Sequence, residues 1–152
     1  MGKNQNHYFQ KYRDLLLLAI CLVLGLVLLT CFQVVCTDDY SMDPTYTPGD
    51  VLLSLKVHPA PQVNDIVLIY HDGMYMVKRV QFVAGQVPYL FTGGNDLNIP
   101  PLEDWLEGPI PEGYIFVAGD NPAVSKDSRY EDFGLVSLDE VRGIIICTLK
   151  GK

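Results

Sequence analysis

The sequence predicts an all-β domain attached to a single apolar helix. Residues 15–35 form an apolar run interrupted only by Thr30 and Gln33, which is about the length that spans a bilayer. From Val51 onward, short runs rich in β-branched and aromatic residues alternate with turn signals of Gly, Pro and Asp. We therefore expect an N-terminal tail at 1–14, a transmembrane anchor at 15–35 and a β domain at 36–152.

A cleaved signal peptide and a buried soluble helix are the alternatives to an anchor. The run is longer than the apolar core of a signal peptide, which has about 7–15 residues. The polar stretch 36–39 follows it, where a cleaved peptide would have small residues. No polar face recurs at helical spacing, which argues against a buried soluble helix.

The charge distribution predicts the orientation. The chain has a net charge of −7, which argues against a nucleic-acid partner. Residues 1–14 carry Lys3, Lys11 and Arg13 against Asp14, so the tail is positive and the rest is strongly acidic. Because positive flanks stay in the cytoplasm, we expect a single-pass protein of the cell membrane with its β domain on the outer side.

Period-two patterns and turn residues predict the strands in order. A hairpin is expected at His71-Asp72-Gly73, because Asp-Gly favours the positive φ of a tight turn. One short helical turn is expected at Asp139-Glu140. The predicted strands are 51–57, 65–70, 74–83, 114–118, 134–136 and 141–149, with a further extension at 87–91.

The Pro- and Gly-rich segment 92–113 predicts an irregular loop, in which Trp105 either fixes the loop to the core or lies at the membrane or the substrate. The three histidines are expected at the surface. Cys36 and Cys147 form no disulfide framework, and no metal-binding cluster or cofactor motif is present.

Three stretches carry residues suited to catalysis. Ser41 lies in the turn Tyr40-Ser41-Met42-Asp43-Pro44-Thr45, a few residues after the anchor and so close to the membrane surface. Lys78 shares the apolar face of a strand with Met76 and Val80, where burial disfavours its charged form. A Lys whose amine reaches out to water is the structural alternative. The third stretch runs from Gly119 to Arg129.

These stretches, in this order behind an apolar anchor, resemble the type I signal peptidases, which are membrane-bound serine proteases with a Ser-Lys dyad. The resemblance extends from about Leu15 to Gly134 and implies a partly open β-barrel of coiled sheets. It implies cleavage of signal peptides from exported precursor proteins after Ala-x-Ala-like sites. Expected partners are those precursors and the lipid bilayer, with a possible link to the secretion machinery.

The resemblance also implies a role for each matching residue. Ser41 is the expected nucleophile and Lys78 its general base, with Ser125 orienting the amine. Met42 and Val77 are expected to contact the substrate. The expected supporting charges are Asp120, Asp127, Arg129 and Arg79.

The chain departs from the family pattern at three places. Asp39 stands where many members have a Ser that donates to the oxyanion, and an ionised Asp cannot donate. Tyr40 replaces a small residue and is expected to narrow or cover the site. The Gly-Leu-Pro-Gly-Asp run usual after Lys78-Arg79-Val80 is absent, and at this length we do not expect the second β domain of larger members.

These departures leave two functional hypotheses. The first is a compact signal peptidase specialised for pilins or other surface proteins. The alternative is a catalytically weak or silent relative that serves as an assembly factor or chaperone for surface proteins. Ser41, Lys78 and Ser125 are all retained, which favours the enzyme. A self-cleaving repressor would need a DNA-binding domain where the apolar run lies.

Overall fold

The computed structural model describes residues 2–88, 106 and 108–150 of the 152-residue chain. One long helix is followed by seven strands and a short 3₁₀ helix, Leu138–Glu140. The helix and strands are α1 (Gly2–Cys31), β1 (Phe32–Cys36), β2 (Val51–Leu55), β3 (Ile66–His71), β4 (Met74–Val83), β5 (Tyr114–Ala118), β6 (Val136–Ser137) and β7 (Val141–Lys150).

All seven strands belong to one sheet with the order β1-β2-β7-β3-β4-β5-β6. Every neighbouring pair is antiparallel, which confirms the predicted all-β class behind one apolar helix. The edge strands, β1 and β6, do not pair with each other within the described residues, so the sheet is open.

Strand β4 and its neighbours match the predicted pattern closely. The bounds of β4 and β5 are those expected from the sequence. The β3–β4 hairpin turns at Asp72 and Gly73, with φ angles of 48° and 81°. Positive φ at both turn positions is the geometry for which Asp-Gly is favoured.

The predicted end of the anchor is wrong by four residues. The helix ends at Cys31, and Phe32–Cys36 forms β1, which pairs with β2 along its whole length. An apolar run does not by itself distinguish helix from strand. Here Val34 and Val35 follow Phe32, and β-branched and aromatic residues favour a strand that has a partner available.

The end of α1 is tied directly to the sheet. Immediately after β2, the backbone N–H of Lys56 donates to the carbonyl of Cys31 at 2.7 Å, and its Nζ donates to the carbonyl of Leu29 at 2.9 Å. These bonds satisfy two of the carbonyls that a helix leaves unpaired at its C-terminus. Residues Gln10–Cys31 are long and apolar enough to cross a bilayer, and none of the most apolar stretch is buried.

The core lies where β3, β4 and β5 meet the segment that leads to β7. The buried residues of this cluster are Val67, Ile69, Val80, Ile115, Val117, Phe133, Val136 and Val141. A smaller cluster contains Phe82, Ile110 and Phe116, with the first and last rings edge to face. Strand β4 contributes to both clusters, so its position is fixed from two sides.

His71 corrects the expectation that all the histidines lie at the surface. It is 8% exposed, at the end of β3, and its ring packs at a tilt against the Phe133 ring, with 4.5 Å between the ring centres. Its Nδ1 lies 2.9 Å from a Glu140 carboxylate oxygen, and its Nε2 lies 2.9 Å from the Phe133 carbonyl. A lone His after an apolar run gives no sign of these distant partners. It links the hairpin to the 3₁₀ helix.

Part of the predicted loop lies outside the described residues. Trp105 and residues 89–91 of the predicted extension fall there. Val87 and Pro88 are described and belong to no strand.

Gly143 in β7 provides a test of this packing. A Cβ built there would meet the Ser54 hydroxyl and lie 2.8 Å from the Leu55 carbonyl oxygen. We expect Gly143→Ala to reduce the free energy of unfolding by about 1–3 kcal/mol, because a backbone atom cannot move aside. Thermal unfolding in detergent would measure this. Gly25→Ala is the control, because its Cβ meets nothing within 4 Å. Equal stability of the two variants would contradict the packing.

Candidate active site

Ser41 lies in the loop that joins β1 to β2. The base of this loop is closed by backbone bonds between Thr37 and Asp50 at 3.0 Å and between Gly49 and Thr37 at 2.8 Å. A Tyr46 N–H donates to the Met42 carbonyl at 2.9 Å and forms the turn after Ser41. Ser41 is therefore held near β1 and β2, the first two strands after α1.

Lys78 lies in the middle of β4, opposite Val67 of the core. On the other side of β4, Arg79 pairs with Ala118, the last residue of β5. This register brings the residues that follow β5, starting with Gly119, beside Lys78. The third sequence stretch is thus placed against β4 by strand pairing.

A chain of hydrogen bonds leads from Lys78 to a buried ion pair. The Lys78 amine donates to Ser125 Oγ at 3.0 Å, and the Ser125 hydroxyl donates to an Asp127 oxygen at 2.5 Å. Arg129 holds Asp127 through two bonds of 2.7 Å, one to each carboxylate oxygen. Asp127 is 0% exposed and Arg129 is 1% exposed. Because the Ser125 hydroxyl donates its proton to Asp127, the Ser125 oxygen is oriented to accept a hydrogen bond from the Lys78 amine.

The surroundings of Lys78 disfavour its charged form. Only 2% of the residue is exposed, and this burial lowers the pKa of the amine below its ordinary value. The Arg129 charge acts in the same direction, whereas the Asp127 and Asp39 carboxylates oppose it without reversing the shift. The alternative of an amine that reaches out to water is not what the structure shows.

Arg79 and Asp120 form a second ion pair, separate from the first. Two nitrogens of Arg79 contact the two Asp120 oxygens at 2.7 and 2.6 Å, and Thr45 donates to the same carboxylate at 2.5 Å. Burial alone would raise the pKa of Asp120, but its bonds with Arg79 and Thr45 outweigh this and lower it. This pair ties β4 and the segment after β5 to the Ser41 loop.

Gly119 and Asn121 bring Ser41 next to Ser125. The Asn121 N–H donates to the Ser41 carbonyl at 2.9 Å. A Cβ at Gly119 would collide with the Ser125 hydroxyl and with the Ser41 carbonyl. Only glycine lets the backbone at residue 119 approach both the Ser41 loop and Ser125 so closely. Ser41, Lys78 and Ser125, which the sequence predicts as site residues, therefore converge at one place.

Asp39 makes the direct contacts of the Ser41 side chain. A single Asp39 oxygen accepts from the Ser41 N–H at 2.9 Å and from the Ser41 hydroxyl at 2.8 Å. Within the described residues, no hydrogen bond joins Ser41 directly to Lys78. The sequence singled out Asp39 as a poor donor, but nothing in it indicated that Asp39 would hold both Ser41 groups.

A cleft beside Ser41 contains both residues that were predicted to contact substrate. Its apolar part includes Met42, Leu68 and Val77, and its volume is about 150 Å³. Tyr40 is 62% exposed and does not line the cleft, so the expected cover over the site is not formed. The complete lining is Val35, Cys36, Thr37, Asp38, Asp39, Met42, Leu68, Tyr75, Met76 and Val77.

Two site residues were not singled out as such by the sequence. Thr45 was noted only as part of the Ser41 turn, and Gly119 only as part of a turn after a strand. Their contacts depend on chain segments that are distant in sequence, and no local pattern reports these. No group of three His, Cys, Asp or Glu side chains is placed to hold a metal in the part of the chain that the structure describes.

Comparisons with known proteins show similarity to one family. A family model described as "Signal peptidase, peptidase S26" matches residues 10–87 and 92–149. A probable signal peptidase I-1 of Synechocystis is 34% identical over 117 residues, which cover 61% of this chain and 59% of that protein. This chain therefore spans less than two thirds of that relative. A crystal structure of a signal peptidase I from Enterococcus faecalis has 26% identity and a TM-score of 0.47, covering 59% of this chain and 100% of the other.

The buried ion pair predicts a large difference between two similar substitutions. We expect Asp127→Asn to destabilise the protein by about 3–5 kcal/mol, because the Arg129 charge is left buried without its partner. Asp132→Asn removes the carboxylate that meets Lys126 at 2.7 Å on the surface, and little change is expected. Denaturant unfolding of both variants in detergent would measure this. A small effect of Asp127→Asn would contradict the importance of the pair.

Proposed function

The chain belongs to the signal peptidase family, peptidase S26, and we propose that it is a membrane-anchored serine endopeptidase that removes signal peptides from exported proteins. The observation that carries this proposal is the Lys78 amine, which is buried, bonded to Ser125 and located beside the Ser41 loop. A lysine kept neutral in such a place can act as a base at ordinary pH.

Ser41 would be the nucleophile and Lys78 the general base. The neutral amine takes the hydroxyl proton while Oγ attacks the substrate carbonyl. The resulting ammonium gives its proton to the leaving amine, which departs and leaves an acyl-enzyme. Water then attacks the ester and Lys78 takes its proton. The Lys78 ammonium returns that proton to Ser41 Oγ as the ester bond breaks, and the signal peptide leaves with a new carboxylate. The negative oxygen of each tetrahedral intermediate needs donors, and the Ser41 N–H is suited to this once it is free.

Ser125 and the two ion pairs would position these groups. The Ser125 oxygen accepts from the amine because its own proton points to Asp127. The lone pair of a neutral Lys78 would then be available to the nucleophile. Arg129 fixes Asp127, and the Arg79–Asp120 pair holds the Ser41 loop against β4. These four charged residues support the site without contacting substrate.

The substrate would bind as an added strand along the cleft. Backbone groups beside Val77 would pair with the extended substrate, and the apolar space near Met42 would hold the small side chain before the cut. Cleavage after Ala-x-Ala-like sites fits a cleft of about 150 Å³. An apolar anchor that leads directly into β1 suits substrates that are themselves held in the bilayer.

The proposed orientation places the tail in the cytoplasm. Lys3, Lys11 and Arg13 precede the apolar part of α1, and the β domain follows it on the outer side. In the proposed division, residues 1–14 are the tail, and the anchor lies within α1 and ends at Cys31. The catalytic domain begins with β1.

A weak or inactive relative that assists surface-protein assembly is the second candidate. The contact of Asp39 with both donors of Ser41 favours it, because that contact withholds the hydroxyl and the N–H from a substrate. The two candidates predict different results with a cleavable precursor.

Cleavage of a membrane-tethered precursor with an Ala-x-Ala site tests the dyad. We expect wild-type protein to cut it, and we expect Ser41→Ala and Lys78→Ala each to lower kcat at least about a thousandfold. Lys78 must be neutral to act as a base, and burial lowers its pKa. The rate should therefore rise with pH and level off at a pH below 10.5, the ordinary pKa of lysine. A folded but inert wild-type protein would favour the second candidate. An active Lys78→Ala variant would exclude Lys78 as the base.

The substrate range forms a separate prediction. We expect the protein to process a few surface or pilin precursors much faster than general secretory precursors, because Asp38 adds charge to an otherwise small apolar cleft. Competition between precursors in liposomes gives relative kcat/KM values directly. Similar values across a broad set of secretory precursors would contradict this specialisation.

A further inference from the structure

Both hydrogen-bond donors of Ser41 point at one oxygen of Asp39. The backbone N–H lies 2.9 Å from Asp39 Oδ1 and the hydroxyl oxygen lies 2.8 Å from the same atom. A carboxylate oxygen is a strong acceptor for two donors, so this arrangement holds the side chain of Ser41 in one orientation.

These contacts exclude the contacts that the reaction needs. The hydroxyl must give its proton to Lys78, which is meanwhile bonded to Ser125. The N–H of Ser41 must be free to stabilise the negative oxygen of the intermediate. An ionised carboxylate cannot donate to that oxygen, and its charge repels it. Ser41 therefore cannot hold its contacts with Asp39 and react at the same time.

We propose that Asp39 is a positioning residue that restrains Ser41, and that its carboxylate must leave Ser41 before each acylation. The inference rests on the proposed function, since it concerns the rate of the same reaction. Asp39 is exposed, so its carboxylate can turn into water without being left buried and unpaired. Asp39 thus limits kcat rather than the binding of substrate.

The same carboxylate influences Lys78. The charged groups that act on the amine are Asp127 and Asp39, which favour its charged form, and Arg129, which disfavours it. Removing the negative charge of Asp39 therefore lowers the pKa of Lys78 further. As a consequence, the rising part of the pH–rate profile should move to lower pH.

Two substitutions and a control test this restraint. Asp39→Asn keeps the shape of the side chain and removes its charge, whereas Asp39→Ala removes the acceptor. Asp139→Asn makes the same charge change on the 3₁₀ helix, at an exposed residue away from the site. Kinetics on the tethered Ala-x-Ala precursor would be measured across about pH 6 to 10, with melting temperatures to confirm folding.

Freeing Ser41 should raise turnover. We expect Asp39→Ala to increase kcat by about tenfold or more, the change that loss of one hydrogen bond to a charged group allows. KM should stay within about twofold, because the substrate contacts remain. The kcat of Asp39→Asn should lie between the values for Asp39→Ala and wild type. Both should shift the rising limb to lower pH, and Asp139→Asn should change neither kcat nor the profile.

The outcomes separate this inference from the proposed function. If wild type is inert and Asp39→Ala cuts, the restraint stands and the wild-type protein is the inactive relative of the second candidate. If wild type cuts and the Asp39 variants are no faster while folded, the restraint alone is wrong. If folded Asp39→Ala is slower than wild type and its pH–rate profile is not shifted, the restraint is wrong and Asp39 assists the reaction instead. If wild type and every variant are folded but inert, both the restraint and the proposed function are wrong.

Discussion

The burial of one amine in β4 is the constraint on which the site depends. A charged lysine at 2% exposure would lose most of its hydration, so the buried amine needs a hydrogen-bond acceptor in the interior. Ser125 accepts directly, and Asp127 fixes the Ser125 proton. Arg129 then balances the charge of Asp127, which is itself fully buried. Removing Asp127 leaves the Arg129 charge buried without its partner.

Strand pairing explains why such distant residues can meet. The Arg79–Ala118 register brings the segment after β5 beside Lys78, and the bond from Asn121 to the Ser41 carbonyl attaches the Ser41 loop to that segment.

The buried hydrogen-bond network around Lys78 and the exposed Asp39 side chain differ in their freedom to move. The Lys78 network is fixed by burial. Asp39 is exposed, and within the described residues its hydrogen bonds are those with Ser41.

Local patterns in the sequence predicted much of this, and long-range contacts account for the rest. Period two and Asp-Gly located β4 and its hairpin, and the apolar face of β4 indicated that Lys78 is buried. The end of the anchor was missed because β1 is defined by its pairing with β2, which an apolar run does not reveal. His71 was misplaced for the same reason, since its partners lie about sixty residues further along. Asp39 was recognised as unusual, but its contact with Ser41 required the turn geometry.

The pKa of the Lys78 amine is the most direct test of the account. It can be followed by nuclear magnetic resonance of isotope-labelled lysine in detergent, with Lys78→Met used to assign the signal. The account predicts that this amine titrates clearly below the ordinary lysine value of 10.5, and that Asp39→Asn lowers the midpoint further. A Lys78 signal that titrates like the exposed lysines would contradict the burial of the amine and its role as a base.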